Sequence, residues 1–307
     1  MTVAASGGGS GTMPTRYNAP SAGPPIGASH ERGDRMSFDV SDCRRRCMAY
    51  RRRILDISQQ VPALHAAGAF SCMEIVDVIY HDLMRRELGE PPRFVDSFVM
   101  SKGHGCMAQY VILEALGILT KRDLDLYCVP GGLLGCHPDH GVPGIEASTG
   151  SLGHGLGMAT GMAYADRING EDRRLYVLLS DGELQEGSTW EALQMAANLK
   201  IDNLVAFVDL NDMASLSRMS ETHPAFYPVL DKLRAFGWEA VEVNGHDAGA
   251  LHDAVTRRRG DRPFVVVGRT VKGRGVSFME NIPIWHYRSP SKDEYAKAIA
   301  ELGEVTS

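Results

Sequence analysis

Short apolar runs alternate with stretches of helical period from about residue 39 onward. Five of these runs have the length and the β-branched content of buried strands. They are VDSFVMS (95–101), RLYVLLS (174–180), NLVAFVDLN (203–211), AVEVNGH (240–246) and PFVVVGRT (263–270). Since strands that alternate with helices pair in parallel and are covered on both faces, the pattern predicts an α/β fold with a parallel sheet flanked by helices.

The first 38 residues differ in composition from the rest of the chain. They begin MTVAASGGGSGTMPT and are rich in Gly, Ser and Pro, which bury too little apolar surface to offset the entropy cost of ordering. We therefore expect residues 1–38 to form a flexible tail. The chain of 307 residues is 44% apolar and 23% charged, and residues 39–307 are predicted to form one domain.

The charge and the cysteine pattern of the chain do not favour a nucleic-acid-binding or a zinc-binding protein. The net charge of −6 gives no general attraction to nucleic acid, and a basic cluster at arginines 44–46 and 51–53 is interpreted as a solvated helix face rather than a phosphate-binding patch. The six cysteines lack the paired C-x-x-C spacing of a zinc site, so free thiols are expected. Neither a long apolar span nor a signal-peptide core is found, which favours a cytoplasmic protein.

Polar residues follow two of the predicted strands. Asp181 comes where RLYVLLS ends, and Asn211 comes where NLVAFVDL ends, with a predicted helix (about 188–199) between them. In such a βαβ unit the right-handed crossover directs both side chains into one crevice. Carboxylate, amide and main-chain carbonyl oxygens suit Mg²⁺, and Gly182 lets the backbone approach a phosphate closely.

The same residues carry a resemblance to a known family. The segment DGELQEGSTWEAL (181–193), followed by KIDNLVAFVDLN (200–211), resembles the thiamine diphosphate motif of transketolases. The resemblance implies that magnesium diphosphate is held by the side chains of Asp181 and Asn211 and by the carbonyl of Met213.

Four further segments resemble the transketolase family, in the family's order. They are LHAAGAFSCMEIV (64–76), which gives His65; FVDSFVMSKGHGCMAQY (94–110), which gives His104; GCHPDHGVPGIEASTGSLGHGLG (135–157), which gives His137, Gly150 and Leu152; and VGRTVKGRGVSFMENIPIWHY (267–287), which gives His286. The match at His65 is the weakest, because its flanking residues differ from the family pattern.

The resemblance also implies roles for these residues. His65, His137 and His286 would surround the reactive carbon of thiamine diphosphate as imidazoles of near-neutral pKa that exchange protons with substrate oxygens. The residues expected to bind the cofactor are His65, His104, Gly150, Leu152, Gly182, Glu186, Asn211 and His286. For Glu186 the resemblance implies a contact between subunits near the cofactor, whereas Glu186 and Glu191 could also be solvated acids that complement the dipole of the following helix.

The family also needs a glutamate that activates the cofactor's aminopyrimidine, and it comes from a separate pyrimidine-binding domain. We expect a second polypeptide to supply it, so this chain would be the N-terminal subunit of a split transketolase, inactive alone and assembled as an α2β2 heterotetramer. The reaction implied is transfer of a two-carbon ketol unit from a ketose to an aldose. An apolar interface should be exposed on the isolated subunit.

Several positions depart from the family pattern. They are Ser180 in place of the first glycine of Gly-Asp-Gly, His154 in place of glutamine, Leu216 and Ser217 near the place of an Asp-Gly pair, Ala63, Leu64, Ala66 and Ala67 around His65, and Tyr287 in place of glycine. Because these changes are expected near the substrate channel, we predict a specialised donor or acceptor sugar rather than housekeeping pentose phosphates.

Other functions remain open at this point. The glycine-dense GSLGHGLG (150–157) could be a dinucleotide loop, but no apolar strand leads into it as that fingerprint requires. The α subunit of a 2-oxoacid dehydrogenase is also split and also uses an Asp…Asn magnesium motif. A non-catalytic partner protein that kept the fold is the third alternative.

Overall fold

The strands follow the predicted pattern. The structure, a computed structural model, describes residues 38–61, 64–87, 89–258 and 260–303. Its strands are β1 (Arg86–Glu87), β2 (Arg93–Phe94), β3 (Ser97–Val99), β4 (Leu175–Ser180), β5 (Leu204–Leu210), β6 (Met213–Ala214), β7 (Ser217–Arg218), β8 (Glu239–Asn244) and β9 (Phe264–Arg269). Five of them form one parallel sheet in the order β3-β4-β5-β9-β8, whereas β1 pairs with β2 and β6 with β7 in antiparallel ribbons.

Helices connect these strands. They are α1 (Val40–Ser58), α2 (Ala66–Ser71), α3 (Met73–Val78), α4 (Cys106–Ala115), α5 (Lys121–Asp125), α6 (Gly155–Ile168), α7 (Gly187–Asn198), α8 (Met219–Thr222), α9 (Val229–Ala235), α10 (Ala248–Thr256) and α11 (Lys292–Leu302). A π-helical turn spans Ile79–Leu83, and 3₁₀ turns span Gly103–Gly105, Gly182–Gln185, Pro224–Phe226 and Pro283–His286. Helix α7 is the one predicted at about 188–199.

The central strands are apolar on both faces. Every residue of β4 and β5 is buried, and their side chains alternate between two hydrophobic clusters. Tyr176 and Leu178 pack with α1 to α4, α10 and α11, whereas Val177 and Leu179 pack with α6, α7 and α9. Apolar residues on both sides are expected of a parallel sheet with helices on each face. The predicted fold class is therefore confirmed.

The arginine cluster on α1 is only partly as predicted. Arg44 and Arg45 are exposed, as a solvated face requires. Arg51 is only 4% exposed and forms a bidentate ion pair with Glu74 at 2.7 and 2.8 Å. Arg46 pairs in the same way with the buried Asp77. The interpretation of the whole cluster as solvated was wrong, because buried carboxylates on a neighbouring helix are not visible in the local sequence.

Other expectations about the whole chain have mixed outcomes. All six cysteines are free, as predicted. In the described part of the chain, no helix combines the length and the apolar composition of a membrane-spanning segment. The predicted tail, residues 1–38, lies outside the described residues except for Phe38, which stacks on His252 with the ring centroids 4.4 Å apart. The division of the chain into that tail and one domain at 39–307 stays a prediction.

Candidate active site

Three oxygen-bearing residues meet at the carboxyl ends of β4 and β5. Asp181 follows β4 and is 1% exposed, and its Oδ1 accepts a hydrogen bond from the N–H of Gly182 at 2.9 Å. Its Oδ2 accepts hydrogen bonds from the N–H groups of Asn211 (3.1 Å) and Met213 (3.2 Å). Asn211 Oδ1 lies 3.1 Å from the same Met213 nitrogen and accepts from it. The structure therefore brings together the three residues predicted to bind the metal, and the contacts that Met213 makes here come from its N–H group, whereas its carbonyl is the predicted ligand.

A buried ion pair supports these strand ends. Lys102 and Asp209 are almost fully buried, and the Lys102 ammonium donates to the Asp209 carboxylate, to Ser71 Oγ at 3.0 Å and to the Gly68 carbonyl at 2.7 Å. Burial and the negative charge of Asp209 raise the pKa of Asp181. The ammonium of Lys102 acts in the opposite direction, because its positive charge favours the ionised form of Asp181. Neither Lys102 nor Asp209 was singled out in the sequence, although a carboxylate inside an apolar strand signals a buried partner.

The four predicted histidines form one cluster. The His65 ring centroid lies 5.8 Å from that of His104, 6.3 Å from that of His137 and 5.3 Å from that of His286. The rings of His104 and His286 are 5.6 Å apart. These residues come from the start of α2, the turn before α4, the loop after α5 and the last 3₁₀ turn, so only the complete fold joins them.

Three of these histidines are neutral at pH 7, and their pKa values lie far below neutrality. Burial, followed by the positive charges of nearby residues, lowers the pKa of His65 to about 4 and that of His286 to about 3. The pKa of His104 is also far below its ordinary value, for the same reasons. The expectation of near-neutral imidazoles was therefore wrong for His65 and His286, because the sequence does not reveal burial beside Lys272 and Lys102. Each neutral ring offers one N–H donor and one nitrogen acceptor.

Two glycines bring loops together beside the cluster. Gly150 has φ +127°, and a Cβ there would lie 2.7 Å from the His137 ring. A Cβ at Gly103 would lie 2.6 Å from the backbone of Gly150. Side chains are therefore excluded at both positions. Gly103 had no assigned role in the sequence, although it stands in the quoted Ser-Lys-Gly-His segment.

A buried glutamate links the loops around this cluster. Glu183 is fully buried, and its Oε1 accepts from Ser101 Oγ and from the N–H of Gly153 at 3.0 Å. Its own N–H donates to Ser180 Oγ at 3.3 Å. The serine that departs from the family pattern thus caps the turn that follows Asp181. Glu183 was not singled out, although its place directly after Asp-Gly was a signal.

The remaining predicted cofactor residues lie at the rim of the site. A Cβ at Gly182 would meet nothing closer than Ala214 at 3.9 Å, so packing within this chain does not require glycine there. Leu152 is half-buried, and its carbonyl lies 3.2 Å from Nδ1 of the exposed His154. Glu186 is exposed and adjoins Gly153, where an added Cβ would lie 2.6 Å from the Glu186 Cβ.

The other departures from the family pattern fall in two environments. Leu64, Ala66 and Ala67 are buried in the core, where small polar side chains would be disfavoured, whereas Ala63 lies outside the described residues. Ser217 is half-buried in β7, whereas Leu216 and Tyr287 are exposed. Leu216 is 49% exposed in the turn between β6 and β7, and Tyr287 is 46% exposed with its ring 5.8 Å from that of His286. Glu191 is also exposed on α7.

The fold and the grouping of residues define an α/β domain with a polar site at the carboxyl ends of its parallel strands. The chain belongs to the transketolase family. Residues 44–304 match the family described as "Transketolase, thiamine diphosphate binding domain". This match confirms the predicted family and favours it over the dinucleotide-binding and 2-oxoacid dehydrogenase alternatives.

Two relatives of this chain are named as subunits of transketolases. The chain is 38% identical over 260 residues to one subunit of an apulose-4-phosphate transketolase from Phocaeicola vulgatus, covering 83% of this chain and 91% of that protein. It is 33% identical over 273 residues to a "6-deoxy-6-sulfo-D-fructose transketolase subunit SqwG" from Clostridium sp., covering 87% of this chain and 98% of that protein. The chain thus corresponds to the N-terminal, diphosphate-binding subunit of a split transketolase, a transferase.

A solved structure supports the fold. Transketolase from Leishmania mexicana superimposes with a TM-score of 0.77 at 28% sequence identity. The match covers 87% of this chain but only 41% of that protein. The chain therefore spans about two fifths of the length of this solved transketolase.

Proposed function

We propose that this chain is the N-terminal subunit of a two-component transketolase that depends on thiamine diphosphate and Mg²⁺ and transfers a two-carbon ketol unit from a ketose to an aldose. The observation that carries this proposal is the histidine cluster beside the oxygen ligands at the ends of β4 and β5. Ring centroids 5.3 to 6.3 Å apart, from four separate segments, form one cluster. Lys272, whose Nζ lies 2.7 Å from the His286 Nδ1, links this cluster to Asp181, because the charge of the Asp181 carboxylate raises the pKa of Lys272.

The residues at the strand ends fit magnesium. Asp181 supplies a carboxylate, Asn211 an amide oxygen and Met213 a main-chain carbonyl, and each is the hard oxygen donor that Mg²⁺ prefers. Hydrogen bonds between them hold the three residues in place before any ion binds. The remaining coordination positions are proposed for diphosphate oxygens and water.

The adjoining loops fit a diphosphate. The absence of a side chain at Gly182 leaves room for an anionic group close to the backbone, and the exclusion of one at Gly150 keeps that loop against His137. We assign His104, Gly150 and His286 to the diphosphate oxygens, and Gly182 to its close approach. When bound, thiamine diphosphate supplies a carbanion-forming carbon that accepts the ketol unit.

His65, His137 and His286 are proposed to contact the reacting sugar. Since His65 and His286 are neutral, they act as hydrogen-bond partners that orient hydroxyl and carbonyl oxygens. His137 lies next to Cys136, whose Sγ is 3.2 Å from the His137 Nδ1.

A partner polypeptide is proposed to complete the site. The relative from Phocaeicola vulgatus is named as one subunit of its transketolase, which supports a second polypeptide that would supply the activating glutamate in an α2β2 assembly. Glu186 is exposed at the rim, as a residue at that contact would be on the isolated chain. Large apolar side chains are exposed in the loops that carry site residues: Val129, Leu133, Leu216, Ile282, Ile284 and Tyr287. We assign these to the partner interface.

The substrate is proposed to be a specialised sugar. The relatives named for apulose 4-phosphate and for 6-deoxy-6-sulfo-D-fructose support this, as does Tyr287 beside His286. The test is a sugar screen on the reconstituted complex. A complex that prefers xylulose 5-phosphate and ribose 5-phosphate over all other sugars contradicts the specialisation.

Isothermal calorimetry tests the cofactor site directly. Thiamine diphosphate with Mg²⁺ is titrated into the chain alone and into the chain with a candidate partner polypeptide. We expect binding to appear or tighten with the partner, to be lost in Asp181→Ala and to persist in Asp231→Ala, a carboxylate that is 70% exposed on α9. If neither sample binds the cofactor, the non-catalytic alternative replaces this proposal.

A further inference from the structure

A buried lysine touches one of the site histidines. The Nζ of Lys272 lies 2.7 Å from the Nδ1 of His286, and Lys272 is only 3% exposed. We propose that Lys272 is a positioning residue that fixes His286 as the tautomer with its proton on Nε2. His286 then presents an N–H donor, not a base, to the site. This inference rests on the proposed function only for what His286 contacts.

The direction of the hydrogen bond follows from the chemistry of the two groups. An ammonium group has three donors and no acceptor, so it can only donate to an unprotonated Nδ1. Two cations 2.7 Å apart would repel strongly in a buried site, which excludes a protonated His286 beside a protonated Lys272. The remaining alternative is a neutral amine that accepts from Nδ1–H.

Two nearby carboxylates favour the protonated form of Lys272. Burial and the charge of Lys102 lower the pKa of Lys272 to about 8, while the carboxylates of Asp181 and Asp209 oppose that effect. The amine is thus mostly charged at pH 7. Burial and the charge of Lys272 lower the pKa of His286 to about 3, so the imidazole stays neutral. Both directions agree with a bond donated by the ammonium.

Backbone hydrogen bonds hold the segment around Lys272 in place. The N–H of Val271 donates to His246 Nε2 at 2.8 Å, and the N–H of Gly273 donates to the Ala67 carbonyl at 3.1 Å. The Lys272 carbonyl accepts from Asn281 at 2.8 Å. Residues on either side of Lys272 are therefore tied to α2 and to the β8–α10 loop. A side chain in such a frame loses little freedom when it makes its contact.

The consequence concerns what His286 does. In a neutral histidine, the bond made by one ring nitrogen decides which nitrogen carries the proton. With Nδ1 occupied by Lys272, the outward nitrogen of His286 donates to a phosphate, hydroxyl or carbonyl oxygen. It does not remove a proton from the substrate. Proton removal is thereby left to other groups of the complete site.

Nitrogen NMR of the full chain at pH 7 tests the tautomer. The histidines are labelled with ¹⁵N, and the His286 signals are assigned by their loss in His286→Gln. We expect Nε2 to carry the proton in the wild type and in Lys272→Arg, whereas Lys272→Met gives a mixture of tautomers. A proton on Nδ1 in the wild type overturns the proposal. Lys121→Met, at a lysine that is 75% exposed, serves as the control and leaves the His286 signals unchanged.

Kinetics of the reconstituted complex provide a second readout. Lys272→Met should lower kcat by roughly tenfold or more, because control of the tautomer by a second group is worth at least that in a catalytic triad. In a His286→Gln background the same change should cost less than about threefold, since an amide donor needs no tautomer control. Equal losses in both backgrounds overturn the proposal. If no complex transfers ketol units, the proposed function fails while the NMR result still decides the tautomer.

Discussion

Replacing Glu74 by glutamine tests the buried charge network behind the site. Glu74 is 9% exposed, accepts two hydrogen bonds from Arg51, and lies 2.9 Å from His246 Nδ1. Glutamine keeps the shape but removes the charge, so the guanidinium of Arg51 is left buried without a counter-charge. Removing one partner of a buried pair costs about 3–5 kcal/mol, and we expect Glu74→Gln to lower the free energy of unfolding by that amount.

The dependence on pH gives an independent magnitude. Burial opposes ionisation of Glu74, but Arg51 and His246 outweigh it and lower its pKa from 4.5 to about 2. Because the folded-state pKa is depressed, the stabilisation is complete above about pH 4.5 and is lost as the pH falls toward 2. One pKa unit corresponds to about 1.4 kcal/mol, so the effect is about 3 kcal/mol at pH 7, and less than half of it remains at about pH 3.

Urea unfolding of wild type and Glu74→Gln at pH 7 and pH 3 measures both effects. Asp42→Asn is the matched control, since its ion pair with Arg45 lies on the exposed side of α1. Exposed pairs contribute about 1 kcal/mol or less, so the control should stay near wild type. A Glu74→Gln variant that costs no more than the control at pH 7 refutes the buried pair as a source of stability. A difference between Glu74→Gln and wild type that is the same at both pH values refutes the depressed pKa.

Two further predictions concern single positions. Gly150→Ala should abolish calorimetric binding of thiamine diphosphate in the complex, because the new Cβ would lie 2.7 Å from the His137 ring. Gly170→Ala is the control: Gly170 also has a positive φ but has open space around it, so binding should stay intact. Loss of binding in both variants would make backbone strain the cause. An aromatic disulfide reagent should label the exposed Cys128 and Cys136 quickly on the native chain, and the four buried cysteines only after denaturation. The amount of thiolate that the reagent releases measures the number of labelled cysteines. Six rapidly labelled cysteines on the native chain would contradict the described packing.

The local sequence predicted the residues that stand at strand ends. Asp181 and Asn211 follow apolar runs whose period identifies strands, and the parallel topology then requires their side chains to meet. The histidines were identified through the family resemblance, because nothing in local periodicity indicates that residues 65 and 286 are neighbours. The resemblance identified these histidines as site residues, and the structure shows that burial keeps His65, His104 and His286 neutral.

The supporting residues could not be predicted in the same way. Lys102, Asp209 and Glu183 act through partners that are far apart in the sequence, and Lys272 acts through a single contact with His286. Burial decides whether such a charge is solvated or paired, and burial depends on the packing of distant helices. The misreading of Arg51 as a solvated residue has the same cause.

The strand order has a consequence for how the protein is made. The strand β9 lies between β5 and β8, so β8 leaves the ribosome before the strand that joins it to the rest of the sheet. Until β9 emerges and inserts, β8 has no hydrogen-bonding neighbour in the sheet and the loop that carries Lys272 does not exist. Pairing between strands distant in the sequence is slow, and an unpaired strand edge invites aggregation. A site that includes Lys272 therefore cannot form until β9 and the loop that follows it have been synthesised.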